Sequence, residues 1–226
     1  MSSRTAFALA AALLVGCPAL LAAQDWEAVA ASSDRSQDGL LVRMLNEGDL
    51  ERQIALCRGL GRRQDRNIAP VIDFLTSHYS PGTADRTELL LRWLLASARS
   101  AHEQEADFHA WIDANSQSVD ALLAGMDRWR SPMLKTELVA CATVEGTTGS
   151  RQAIMKAGAQ TVSGLQATGG WLSGAETALA LAFLDAAGRV KDTDFLAACA
   201  DIALNSASAS VKTAANNVKR LQSFIS

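Results

Sequence analysis

Apolar residues recur at intervals of three and four from about residue 37 to the end of the chain, and nowhere do apolar and polar residues alternate long enough to read as a half-buried strand. The pattern predicts helices over about 37–47, 49–60, 67–79, 84–100, 103–114, 117–128, 131–144, 150–165, 173–188, 191–205 and 208–225. The last is the clearest. Val211, Ala214, Ala215, Val218, Leu221 and Ile225 fall on one side, and Lys212, Asn216, Asn217, Lys219 and Arg220 on the other. Residues 24–36, ahead of the periodic region, read as a loosely ordered lead-in.

Turn residues punctuate the same pattern. Asn67 precedes Ile68-Ala69-Pro70, and Ser131-Pro132 opens a later helix in the same way, because proline is tolerated where its missing amide would have no partner. Gly61, Gly146 and Gly188 follow apolar helical runs and read as left-handed residues at helix ends. They lie 85 and 42 residues apart (146 − 61 and 188 − 146), so three glycines fall on a period near 42 with one unit unmarked. In that unit Ala101 is followed seven residues later by Phe108, as Gly61 is by Ile68 and Gly188 by Phe195. A period of about 40 to 47 residues belongs to repeats of two or three helices, whose hairpins must stack to bury their apolar faces.

Arg52 to Leu75 resembles a HEAT repeat: a first helix bearing alanine and leucine, the pair Leu60-Gly61, a turn containing Asp65, then a second apolar helix from Ile68. Ala178-Leu179-Ala180-Leu181 through Gly188, and Asp192 to Leu204, is similar to a second copy. The middle copies are degenerate, with Ala101 in place of glycine and an extra helix near 117–128, as in the three-helix armadillo variety. The resemblance implies an all-α fold, an α-α superhelix or solenoid of about four helical hairpins over residues 37–226, with a concave face suited to protein partners. It implies no particular activity.

The first 23 residues read as a secretory signal peptide. Arg4 supplies the positive end, Ala6 to Val15 is apolar, Pro18 breaks the helix, and Leu21-Ala22-Ala23 meets polar Gln24-Asp25 at a cleavage site of small residues. Leu14-Val15-Gly16-Cys17 also resembles the box at which bacterial lipoproteins are cut and lipidated. Lipidation at Cys17 would leave Pro18 and an apolar stretch where a polar tether is expected, which favours soluble export. Either processing places the domain outside the cytoplasm, and a membrane partner is implied only by lipidation at Cys17.

Charge and chemistry narrow the function further. A formal net charge of −3, with residues 84–127 running acidic, argues against nucleic acid. Cys57, Cys141 and Cys199 form an odd set on apolar helices and read as core; the repeat register puts Cys57 and Cys141 too far apart for a disulfide. His102 and His109 are about 10 Å apart along one helix and lack a third ligand, so they read as surface or loop histidines, and neither a metal nor a cofactor is expected. Glu103, Glu105, Asp107 and Asp113 read as a solvated face, and no nucleophile, base or carboxylate pair converges on a cleft.

What remains is candidate binding chemistry. Trp93 and Trp111 read as core, whereas Trp129 lies between two arginines and Trp171 in the glycine-rich Thr168 to Gly174, which makes Trp171 and Trp129 the candidate anchors. Arg62, Arg63 and Arg66, with Arg52 and Arg58, cluster at the first turn, either as an anionic-partner surface or as turn residues balanced by Asp49, Glu51 and Asp65. The expectation is an exported, non-catalytic, protein-binding or scaffolding module of the cell envelope. Alternatives are an enzyme using the solenoid groove and a lipid-tethered structural lipoprotein.

Overall fold

The computed structural model describes residues 26–32, 37–63, 68–102, 105–143, 173–189, 206 and 208–223, and among them all regular structure is helical, with no strand. The helices are α1 (Trp26–Ser32), α2 (Asp38–Glu47), α3 (Leu50–Gly61), α4 (Ala69–Ser77) and α5 (Ala84–Ala101). They continue as α6 (Glu105–Ala114), α7 (Ser116–Ala124), α8 (Pro132–Ala142), α9 (Gly174–Arg189) and α10 (Ala209–Ser223).

Local chemistry explains where several of them begin. Asp49 caps α3 by accepting the Arg52 amide at 2.9 Å, and Ser131 caps α8 by accepting the Leu134 amide at 3.3 Å, with Pro132 as the first helical residue. Pro70 sits in the first turn of α4 as the sequence predicts. The cap there comes from elsewhere: Ile68 donates its amide to Asn115 Oδ1.

The helices pack as a ladder. One row runs α1, α3, α5, α8, α9, α10, each in contact with the next, and α2, α4 and α7 form a second row beside it, with α6 joining α5 to α7. Four of the six first-row helices end at Gly61, Ala101, Ala142 and Arg189, 40, 41 and 47 residues apart, whereas α1 ends at Ser32 and α10 at Ser223, 29 and 34 residues from their neighbours in the row. Leu56, Leu60, Leu91, Leu94, Trp111 and Leu138 are fully buried in the core.

Close approach of α3 to both neighbours is set by glycine. A Cβ on Gly59 would lie 2.3 Å from the Glu27 carbonyl oxygen of α1, and one on Gly61 would lie 2.3 Å from the Leu94 oxygen of α5. Gly61 is therefore required for helix contact: it is a helical residue of α3, and the left-handed end expected from the sequence is not found there. Gly188 likewise lies inside α9, and Gly146 is outside the described residues.

The lead-in also differs from expectation. Residues 26–32 form α1, with Trp26 and Ala30 in the core. Gly48 leaves room for the Trp26 ring, since a Cβ there would stand 2.9 Å from its edge, and the Arg52 guanidinium lies 5.8 Å from the ring centroid. A seven-residue helix is marginal alone and persists through such tertiary packing.

Polar cross-links tie the ladder together. Arg86 of α5 donates to Gln53 Oε1 at 2.7 Å and to the Gly48 carbonyl at 3.0 Å, reaching the α2–α3 turn. Arg99 of α5 forks onto buried Glu137 of α8 at 2.8 and 2.9 Å, and that bond holds the guanidinium's pKa above its usual value. Cys57 and Cys141 are both buried free thiols, and Cys199 lies outside the described residues.

Candidate functional site

Asp85, Glu88, Leu89 and Arg92 are spaced so that they share one face of α5. Opposite that face the chain leaves α7, turns through Arg130 and Ser131, and enters α8 near Met133. Together they line an open groove of about 460 Å³.

Glu88 builds the groove's floor. Its side chain is buried, and Oε1 accepts the Tyr79 hydroxyl at 2.7 Å and the Arg130 amide at 3.0 Å, while Oε2 accepts the Ser131 amide. A carboxylate thus satisfies the backbone donors that lead into α8, and its acceptor capacity is spent on them. Burial first, and then the hydrogen bond and charge of Glu88, raise the Tyr79 hydroxyl above its ordinary pKa.

Two guanidiniums are left over. Arg92 sits four residues after Glu88, the position of a natural helix ion pair, yet Glu88 is turned toward other donors. Among the described residues neither Arg92 nor Arg130 has a carboxylate partner; Arg92 lies 5.3 Å from the Trp93 ring centroid instead. Met133 is 40% exposed and is, with Leu50, one of two exposed large apolar side chains among the described residues. Lys135, half-buried on α8, has its pKa lowered by burial, against the opposing pull of Glu88 and Asp127.

Trp129 belongs beneath this groove and not on its surface. The ring is buried at 1% exposure, its indole N–H donates to the Leu122 carbonyl at 2.9 Å, Tyr79 meets it edge-on at 5.0 Å, and Arg128 lies over it at 4.3 Å. Of the two flanking arginines, Arg128 covers the ring, and together with burial this leaves the ring no face for a partner. Trp111 is likewise buried, and Trp93 is half-buried against Arg58 and Arg92.

The arginine cluster is divided by α1. Arg62 pairs with Glu27, Arg58 approaches the same carboxylate at 3.7 Å, and Arg52 pairs with Asp49 at 3.4 Å. Asp49 was expected to balance the cluster; Glu27 was not. Arg63 is half-buried at the end of α3. Arg66, Asp65, Trp171 and Cys17 lie outside the described residues.

The histidines occupy three different environments. His78 ends α4 with Nδ1 2.7 Å from the Phe74 carbonyl, and His109 lies 3.5 Å from Asp113. His102 departs from the surface reading. It closes α5 with its amide on Ala98 and is buried, its Nε2 without a partner among the described residues. Among those residues no group of three or more His, Cys, Asp or Glu is placed to hold a metal.

No protein-family model, no curated protein and no solved structure matches the chain. The groove residues Glu88, Arg92, Arg130 and Met133 were missed by sequence reasoning. The spacing of Asp85, Glu88, Leu89 and Arg92 was visible as a mixed stripe, but its facing wall is set by stacking.

Proposed function

We propose that this chain is an exported, HEAT-like α-solenoid of about four hairpins that binds a protein partner and scaffolds it at the cell envelope, with the α5–α8 groove as its contact surface. Arg92 and Arg130, which have no carboxylate partner among the described residues, lie beside exposed Met133 and carry the reading, because guanidiniums next to exposed apolar surface have the composition of an interface core and rim. The solenoid form is supported by the two rows of helices and by the spacing of 40, 41 and 47 residues between the ends of α3, α5, α8 and α9. Export rests on the N-terminal Arg4, the apolar run to Val15 and the small residues before Gln24. Among the described residues no helix is long and apolar enough to cross a membrane.

The test is positional. A photo-cross-linking residue replaces Met133 in the full chain, and, as a control, Asn46 on the exposed side of α2. A discrete adduct with one envelope protein from position 133, absent from position 46, is the expected result. Equal labelling from both positions, or none from 133, overturns the groove as the contact surface.

A further inference from the structure

Resting on that reading, we infer that the groove takes an extended peptide segment in which an acidic side chain lies beside an apolar one. Its volume, about 460 Å³, falls in the range of about 300–1,000 Å³ typical of ligand clefts and exceeds what a single inorganic anion fills. The wall chemistry is divided. Leu89 and Met133 offer apolar surface, which a bare anion does not use, and Arg92 and Arg130 offer forked donors suited to a carboxylate.

Glu88 keeps its charge but does not bind the guanidiniums: its oxygens are held by the Tyr79 hydroxyl and the Arg130 and Ser131 amides, which leaves Arg92 and Arg130 without a carboxylate partner among the described residues. Asp85 then sets a direction: seven residues before Arg92, it lies about two turns, roughly 10 Å, along the same face. The acidic side chain of the peptide belongs at the Arg92 and Arg130 end, and a neutral or basic position belongs near Asp85.

Fluorescence anisotropy of the mature chain with a labelled short peptide carrying glutamate beside leucine at one end and neutral serine at the other tests this, with the same peptide bearing lysine in place of glutamate as control and inorganic phosphate as competitor. The acidic peptide binds and the basic one does not. Arg92→Ala and Arg130→Ala each weaken it by about tenfold, the effect of losing one charge-assisted contact, while Met133→Ser weakens it less. Thermal melts should stay unchanged for Arg130→Ala, whose guanidinium holds no ion pair among the described residues, and Arg92→Ala should lose only its contact with the Trp93 ring, a small shift beside the loss of binding. Failure of the acidic peptide to bind, indifference to both arginine variants, or displacement by equimolar phosphate overturns the inference. A Met133 cross-link that forms while the peptide does not bind removes the ligand chemistry and keeps the contact surface; loss of the cross-link removes the surface itself.

Discussion

Ile68 opens α4 by donating its amide, at 2.9 Å, to the side-chain oxygen of Asn115, 47 residues further along. Asn115 is buried and uses its Nδ2 to donate to the Trp111 carbonyl at 2.9 Å, so one side-chain amide ties the start of α4 to the end of α6. Asn115→Ala leaves a buried donor and a buried acceptor unpaired, and the expected cost is about 2–4 kcal/mol, read as a fall in urea midpoint at unchanged slope. Asn115→Asp keeps an acceptor for Ile68 and loses the Trp111 bond, so it too should be less stable than the parent. A midpoint unchanged by the alanine variant would mean water replaces both bonds without cost.

Glycine in a helix normally costs about 1 kcal/mol relative to alanine, so Gly→Ala should stabilise unless space forbids it. At Gly39 of α2 nothing lies within 4 Å of an added Cβ, whereas at Gly59 and Gly61 the obstacle is backbone 2.3 Å away. Gly39→Ala should therefore raise the melting temperature slightly, and Gly59→Ala and Gly61→Ala should lower it by forcing α1 or α5 outward. A shared sign across the three variants would contradict the packing of α3.

The described helix boundaries fall within a few residues of those expected from periodicity, because apolar spacing and turn residues are local properties that stacking does not overwrite. What escaped was non-local. Arg99 and Glu137 are 38 residues apart, and Tyr79 and Arg128 are 49 apart, so their contacts depend on the register of one hairpin upon the next. Trp129 looked exposed because its neighbours are charged, although Arg128 folds over the ring and shields it. Gly61, read as a left-handed helix end, is instead a helical residue needed for close packing against α5.

Burial raises the Cys57 thiol from 9.0 to about 12, with Cys141 shifted in the same direction. The unfolded chain ionises these thiols at lower pH than the folded one, so their stability contribution is whole below pH 9 and is lost as pH climbs toward 12. Tyr79 acts with the same sign above its ordinary value of 10.0. Denaturant melts from pH 8 to 11 should show falling stability with a shallower slope in Cys57→Ala, whatever that variant's absolute loss. Equal slopes would mean Cys57 ionises without opening the core.

Removing Trp26 separates a packed α1 from a loose lead-in. Its ring is 7% exposed, fills the space left by Gly48 and lies beneath Arg52, while the adjoining Glu27 holds Arg58 and Arg62. Burying and then deleting an aromatic ring of this size costs about 3–5 kcal/mol when the helix is part of the cooperative core. A helix at the end of a row has another course open to it, because it can detach locally while the remaining helices stay packed. Hydrogen exchange distinguishes the two. If α1 is integral, Trp26→Ala lowers protection in α3 and α5 along with α1; if it is an independent strap, protection is lost in α1 and along the newly exposed Gly59 side of α3, with α5 unchanged. The mutual fit at Gly59 and Gly61 joins α1, α3 and α5 through backbone contacts, so the expected result is the shared loss. Protection unchanged everywhere would show that residues 26–32 are the unpacked lead-in their sequence first suggests.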